Sequence, residues 1–477
     1  MTRNDLVVLV PLMVIAGGAV LVMLAIAVQR SHRVAFGLTL AVFLAGLAAL
    51  PLTAWASPRQ ATFLLVLDGY TRFYLCLLFA AGFVVTLMSY AYLERHGGER
   101  EEFYVMLLLA TLGACVLAGS THFASLLLGL EILSVSLYVL IGYTHTRERS
   151  IEAAVKYLVL AAVAAAFLFF GMALIYADLG TMELSRMSQL LIARAGAPGV
   201  LLVAGIALVI VGIGFKLAVV PFHMWTPDIY EGAPAPATAF VASASKGGMF
   251  ALMLRYFTQL QAGRQGAVFM LFALIAIASM LAGNLLALRQ NNVKRLLAYS
   301  SIANWGYLLV AFLAGGPRVF VAVAYYLVAY FAAILCAFGI VSVLSDRDGE
   351  AENLSDYQGL YRRRPWLAAI FTIALLSLAG IPLTAGFVAK FYILSAGVDA
   401  ALWTLVLILA GSSGIGLYYY LRVVVVMSQG PSSVESTSLP PGTLTSSAML
   451  VALTAILIWL GAYPAPMLRW LQAAANL

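Results

Sequence analysis

Four ionisable residues of this chain stand inside long apolar runs. Glu131 lies in FASLLLGLEILSVSLYVLIGY, Lys216 in GIGFKLAVVPFHMW, Lys246 in ATAFVASASKGGMFALML and Lys390 in LTAGFVAKFYIL. An ionised group at the centre of a membrane helix costs about 2.5–3.5 kcal/mol on insertion scales, so four cost on the order of 10 kcal/mol, as much as the stability of a whole domain. A purely structural role is therefore expensive. The choice of cation is also uneven. Of the 27 basic residues five are lysine (Lys156, Lys216, Lys246, Lys294, Lys390) and the rest are arginine. Arginine cannot release its proton in a protein, whereas lysine can when buried. The chemistry these residues suit is proton exchange. Burial disfavours a charged ammonium, and a nearby carboxylate favours it. Glu131 is thus suited to load or unload a proton on Lys216, with a relay running Lys216, Lys246, Lys390 and water between. Two structural alternatives compete: a Glu131–Lys216 ion pair fixing two helices, and snorkelling of Lys246 or Lys390. Buried pairs stabilise poorly compared with apolar packing, and neither lysine is near a span end.

Other charged residues weigh less. His223, just after Pro221, could extend the relay, since histidine titrates near neutrality, or could satisfy freed backbone groups. Lys156 could be an entry site or an interfacial snorkelling cation. Asp68 and Arg72, spaced i and i+4, read as an interfacial pair. Lys294 and Arg295 open a span, where the default role is setting topology. Asp228 and Glu231 read as solvated loop charges that could gather protons.

The elements that hold these residues are membrane helices. The chain has 477 residues, is 63% hydrophobic and 10% charged, and has a mean hydropathy of +1.00. A soluble protein carries roughly 25% charged residues. Runs of about 20 apolar residues recur from end to end, each long enough to cross a bilayer. Fourteen spans are expected, from 6–28 to 444–468, including a seventh at 200–224, an eighth at 234–257 and a twelfth at 365–395. The fold class is an all-α polytopic membrane protein, and the first run reads as a retained span, not a signal peptide. The net charge of +7 is scattered through connectors, which argues against nucleic-acid binding. Cys76, Cys115 and Cys336 are too far apart for a cluster or zinc motif and read as small buried hydrophobes. No Gly-rich dinucleotide fingerprint or P-loop is present, so no redox centre, metal or cofactor is expected in this chain.

Connectors after odd-numbered spans carry thirteen Arg and Lys, Arg347 among them. Those after even-numbered spans, with the termini, carry seven, including Arg194, Arg264 and Arg318. The positive-inside rule then puts both termini outside. Spans seven and twelve are broken: Pro221, Pro227, Pro234 and Pro236 interrupt the first, Gly380, Pro382 and Gly386 the second. Irregular backbone at membrane depth is tolerated only inside protein or along a cavity. The breaks lie five spans apart, beside Lys216 and Lys390, as in an inverted-repeat transporter.

The segments HFASLLLGLEILSVSLYVLIGY, ERSIEAAVKYLVL, GIGFKLAVVPFHMWTPDIYEGAPAPATAFVASASK, NVKRLLAYSSIANWGYLL and GIPLTAGFVAKFYIL resemble the antiporter-like membrane subunits of respiratory complex I, the NADH:quinone oxidoreductase. The resemblance runs from about residue 100 to 395. It implies two inverted five-helix repeats, 103–257 (spans four to eight) and 266–427 (spans nine to thirteen). It also implies that Glu131, Lys216, Lys246 and Lys390 occupy the family's relay positions. Lysine at 390, where some relatives have glutamate, fits the N-type pattern, as does the lack of a long amphipathic helix after span fourteen. The implied function is proton translocation coupled to quinone reduction. NADH, FMN, iron–sulfur clusters and quinone would sit in partner subunits, among neighbouring antiporter-like subunits in a bacterial cytoplasmic (inner) membrane. The pattern is shared with a subunit of multisubunit Na⁺/H⁺ antiporters, and that secondary transporter is the competing reading.

Overall fold

Proline, glycine and charge cut the apolar sequence into helices close to where the sequence places them. The structure, a computed structural model, describes residues 3–54, 59–193, 199–259, 266–316, 319–346, 349–430 and 444–475. Four of the charges that bear on orientation, Arg194, Arg264, Arg318 and Arg347, lie outside them, as does much of the 428–443 connector.

The first three spans are α1 (Arg3–Val28), α2 (His32–Leu52) and α3 (Gly69–His96). A two-residue hairpin, β1 (Arg59–Gln60) with β2 (Val66–Leu67), joins the last two. Then come α4 (Glu102–Gly119), α5 (Phe123–Ile141), the 32-residue α6 (Glu148–Leu179), a short amphipathic α7 (Leu184–Ala193) and α8 (Val200–Leu217). After the first break come α9 (Trp225–Gly232) and α10 (Ala235–Phe240). A π-helical turn, Val241–Ser245, runs α10 on into α11 (Lys246–Gln259). The second half holds α12 (Ala267–Ala287), α13 (Val293–Ala314), α14 (Val319–Leu344), the one-turn α15 (Leu360–Arg363), the half-helices α16 (Pro365–Ala379) and α17 (Ala385–Asp399), and α18 (Trp403–Ser428). The chain closes with α19 (Leu444–Ala462) and α20 (Ala465–Ala475).

Among the described residues, thirteen helices are long and apolar enough to cross a membrane. The α16–α17 pair makes a fourteenth span in two halves. The last span is shorter than expected: it stops at Ala462, before Pro464, and α20 follows as a separate amphipathic helix, because proline cannot continue the α19 hydrogen-bond ladder.

α10–α11, α13 and α14 are buried almost throughout, whereas α1, α2, α6, α18 and α19 keep broad apolar outer faces. A helix enclosed on all sides must be apolar all round, and one at the rim of a membrane bundle can be too, since lipid is as apolar as protein. Only packing separates the two.

The Asp68–Arg72 pair expected from spacing is not formed. Asp68 caps α3, accepting from the Thr71 N–H at 2.8 Å, and takes both arms of Arg255 from α11 at 2.9 and 3.0 Å. The Tyr70 ring lies 4.6 Å from the guanidinium. A bidentate arginine outcompetes a neighbour one turn away because its planar fork matches both oxygens. Burial alone would raise the Asp68 pKa, but Arg255 and Thr71 hold it below the usual carboxylate value. A lowered folded pKa means the pair stabilises above about pH 4 and is lost only as pH falls through the lower folded value. Arg255→Ala strands a largely buried carboxylate. It is expected to weaken the fold by about 3 kcal/mol, read as earlier heat-induced release of the chain from its purified assembly. Asp68→Asn in the same chain should recover part of the loss.

Candidate functional site

Both breaks are strained, and each adjoins a helix that carries a buried lysine. In the first, Ala218 takes the left-handed conformation at φ 59°, directly after α8 ends at Leu217. In the second, Leu383 sits at φ 72° and Gly380 at φ 84°. A non-glycine residue at positive φ costs of order 1 kcal/mol or more and persists only where packing imposes it, which is common at functional sites.

Lys216, on the last turn of α8, is 4% exposed. Its Nζ donates to Ser134 Oγ at 2.7 Å and to Tyr157 OH at 3.2 Å. No ion pair joins it to Glu131 among the described residues, so the helix-fixing pair considered from the sequence is not formed. Glu131 is half-buried on α5, one turn before Ser134. Two hydroxyls, not a carboxylate, surround the Lys216 Nζ among the described residues.

Aromatic rings fill the space towards Lys246. Trp225 stands 5.1 Å from Tyr157 and anchors its indole N–H on the Phe215 carbonyl at 3.0 Å. Lys246 is fully buried and follows the π-helical turn, a feature that often marks function. Its Nζ lies 5.8 Å from the Trp225 ring and 5.3 Å from that of Tyr230, and donates to Ser301 Oγ on α13 at 3.0 Å. Ser301 also takes the Tyr330 hydroxyl from α14 at 2.8 Å and meets Tyr230 OH at 3.3 Å. Ser243, beside Lys246 in sequence, bonds its own helix at Ala239 instead.

Between Ser301 and Lys390 lies a void of about 10 Å³ lined by Asn304, Tyr326, Tyr330, Ser377, Gly386 and Lys390. That is at the lower limit of the volume one water needs, and almost all of the wall that faces it is apolar. Lys390, on α17, donates to the Ala379 carbonyl and to Ser413 Oγ, both at 2.8 Å, with the Tyr307 ring 5.1 Å away. Ala379 is the last residue of α16, so Lys390 satisfies a carbonyl freed by the break. A cavity of about 260 Å³ opens beyond it, bordered by Gly380, Ile381, Phe391, Leu409, Ser413 and Leu417.

The structure thus brings Lys216, Lys246 and Lys390 onto one line of hydroxyls and rings. The two secondary candidates stand apart. His223 is 7% exposed, its Nδ1 buried without a partner, and no contact links it to a relay lysine among the described residues. Lys156 is partly exposed and held by Glu152 at 2.7 Å and Asp228 at 3.0 Å. Asp228 and Glu231 are not free loop charges: both pair with Arg295, at 2.8 and 2.7 Å. The connecting groups Ser134, Tyr157, Trp225, Tyr230, Ser301 and Tyr330 escape a reading by charge. Ser134 alone is reachable from sequence, lying three residues after Glu131 on the same helix face.

The family model described as NADH:quinone oxidoreductase/Mrp antiporter, TM, matches residues 120–416. The NADH-quinone oxidoreductase subunit N of Methylococcus capsulatus is 47% identical across all of this chain and 96% of its own length. That of Nitrosospira multiformis is 49% identical across 99% and 96%. This chain belongs to the NADH-quinone oxidoreductase subunit N family. Among solved structures, a chain of respiratory complex I from Thermus thermophilus superposes with a TM-score of 0.83 at 33% identity, covering 96% of this chain and 98% of that one. The Mrp complex of Dietzia shares the fold, with a TM-score of 0.85 at 20% identity over 100% and 97% of the two chains. The family match spans both breaks and Glu131, Lys216, Lys246 and Lys390.

Proposed function

We propose that this chain is a proton-translocating membrane subunit of an NADH:quinone oxidoreductase, multi-pass in the bacterial inner membrane with both termini outside. Glu131, Lys216, Lys246 and Lys390 form the relay. The observation that carries the reading is the line of three buried lysine Nζ groups, each held by hydroxyl or carbonyl oxygens and none by a carboxylate among the described residues. Hydroxyls accept a proton's hydrogen bond without pinning the charge, so each lysine is able to give its proton up.

NADH, FMN, iron–sulfur clusters and quinone belong to partner subunits, where the redox chemistry runs. Quinone reduction there changes the field at Glu131, the proton on Lys216 shifts, and transfer proceeds through Lys246 and the Ser301–Tyr330 hydroxyls to Lys390. Two repeats, 103–257 and 266–427, are supported by matching partnerships: α4 packs on α5 as α12 packs on α13, and α6 packs on α8 as α14 packs on α16. His223 and Lys156 are peripheral to the path.

Tagging the chain in its native membrane and purifying it in mild detergent tests the reading. NADH:quinone reductase activity sensitive to quinone-site inhibitors should co-purify, and vesicles of the preparation should acidify on NADH without sodium. An intact assembly lacking electron-transfer subunits, with sodium-dependent proton release, would replace it with ion antiport.

A further inference from the structure

Lys294 and Glu350 take no part in the relay, yet they form the most deeply buried ion pair among the described residues, with both side chains at 0% exposure. Lys294 lies on the first turn of α13. Its Nζ donates to the carbonyls of Glu231 at 2.8 Å and Ala233 at 2.7 Å, and to Glu350 Oε2. All three ammonium hydrogens are used. Glu350, on the connector between α14 and α15, accepts from the Ala235 N–H at 2.9 Å and from the Tyr92 hydroxyl, and Arg147 lies 3.8 Å away. Burial pushes the Glu350 carboxyl up, but Lys294, Tyr92 and Arg147 hold it below its ordinary value.

The pair therefore grips both lips of the α9–α10 junction. The carbonyls that end α9 carry partial negative charge and receive the cation. The N–H that opens α10 carries partial positive charge and receives the carboxylate. The sequence EGAPAP leaves few alternatives, because Pro234 and Pro236 have no N–H of their own. α9 carries Trp225 and Tyr230, whose rings face Lys246, and α10 leads through the π-helical turn to Lys246 itself. Lys294 and Ser301 are seven residues apart on α13, so they share one face about 10 Å apart along the axis. The helix that anchors the junction is the helix that offers Ser301 to Lys246.

We propose that Lys294 and Glu350 are positioning residues, a buried charged latch that sets the α9–α10 junction so that Tyr230 and Lys246 meet Ser301. The inference rests on the relay reading above. An error near 1 Å at a reacting group costs up to about a hundredfold. Glu350→Gln keeps the size and an oxygen acceptor but removes the charge that draws Lys294. In the whole complex in membrane vesicles, it is expected to lower NADH-driven acidification per assembled complex about tenfold or more. Glu350→Asp, which keeps the charge, should recover part of the rate. The double variant Lys294→Met with Glu350→Gln leaves no lone buried charge, so it should assemble even if the single variant does not, and it should still pump slowly. A double variant that pumps at the normal rate means the pair only neutralises itself, and the latch is refuted. Lys246→Met runs alongside: if it is inactive while the latch variants pump normally, only the latch falls. Normal pumping by Lys246→Met instead brings down the relay reading, and the latch with it.

Discussion

Lys246→Met and Lys246→Arg should both stop proton translocation through this chain while leaving its assembly unchanged. Methionine fills the volume of the side chain and forfeits one hydrogen bond, to Ser301. Ser301 keeps Tyr330 and Tyr230 as partners, so no buried hydroxyl is stranded. Arginine is the more telling change, since it keeps the positive charge and the donor but cannot deprotonate. A positioned proton-transfer group contributes roughly 10²–10⁴-fold to its step. Acidification of vesicles by NADH should therefore drop by at least about a hundredfold in both variants if this relay limits turnover. Normal pumping by Lys246→Arg would mean that Lys246 supplies a fixed charge and that protons take another way round.

The second large effect is on the fold. A Cβ added at Gly386 would sit 1.7 Å from the Ser377 carbonyl oxygen and 2.7 Å from its carbon. The obstacle is backbone, so no rotamer relieves it. The Gly386 N–H also donates to Ser377 Oγ at 3.1 Å, which ties the first turn of α17 to the end of α16. Gly386→Ala must push the half-helices apart by more than an atomic radius, dragging Lys390 from Ala379 and Ser413. The expected cost exceeds about 4 kcal/mol, so little of the chain should reach the assembled complex. Gly37→Ala is the matched control. Nothing lies within 4 Å of its added Cβ, and alanine is the better helix former. Its assembly should equal that of the parent; an equal loss in both variants would refute a steric cause.

Buried lysines announce themselves in a sequence because charge inside an apolar run is costly and rare. The breaks do so because proline and glycine act on their own backbone. For that reason Lys216, Lys246, Lys390 and both interrupted spans are legible from the amino-acid order alone. The partners of those lysines are not. Ser301 is 55 residues from Lys246, and Ser134 is 82 from Lys216. Serine and tyrosine are too common in membrane helices for their spacing to single them out. Lys294 shows the same limit from the other side. Next to Arg295 at a span end it reads as a topology signal, yet it is fully buried by a loop that arrives 56 residues later. Local spacing matches Asp68 to Arg72, and packing supplies Arg255 instead, 187 residues away.

By itself, then, the sequence determined what depends on neighbours along the chain: how many times it crosses the membrane, where helices must break, and which cations are costly enough to need a purpose. Only the tertiary structure decided which helices are enclosed, which oxygens receive each ammonium, and that α13 joins the α9–α10 junction to the relay. The reason is physical. Insertion energy and backbone geometry are local, whereas a hydrogen bond inside a bundle exists only once separate helices have packed so that donor and acceptor stand about 3 Å apart.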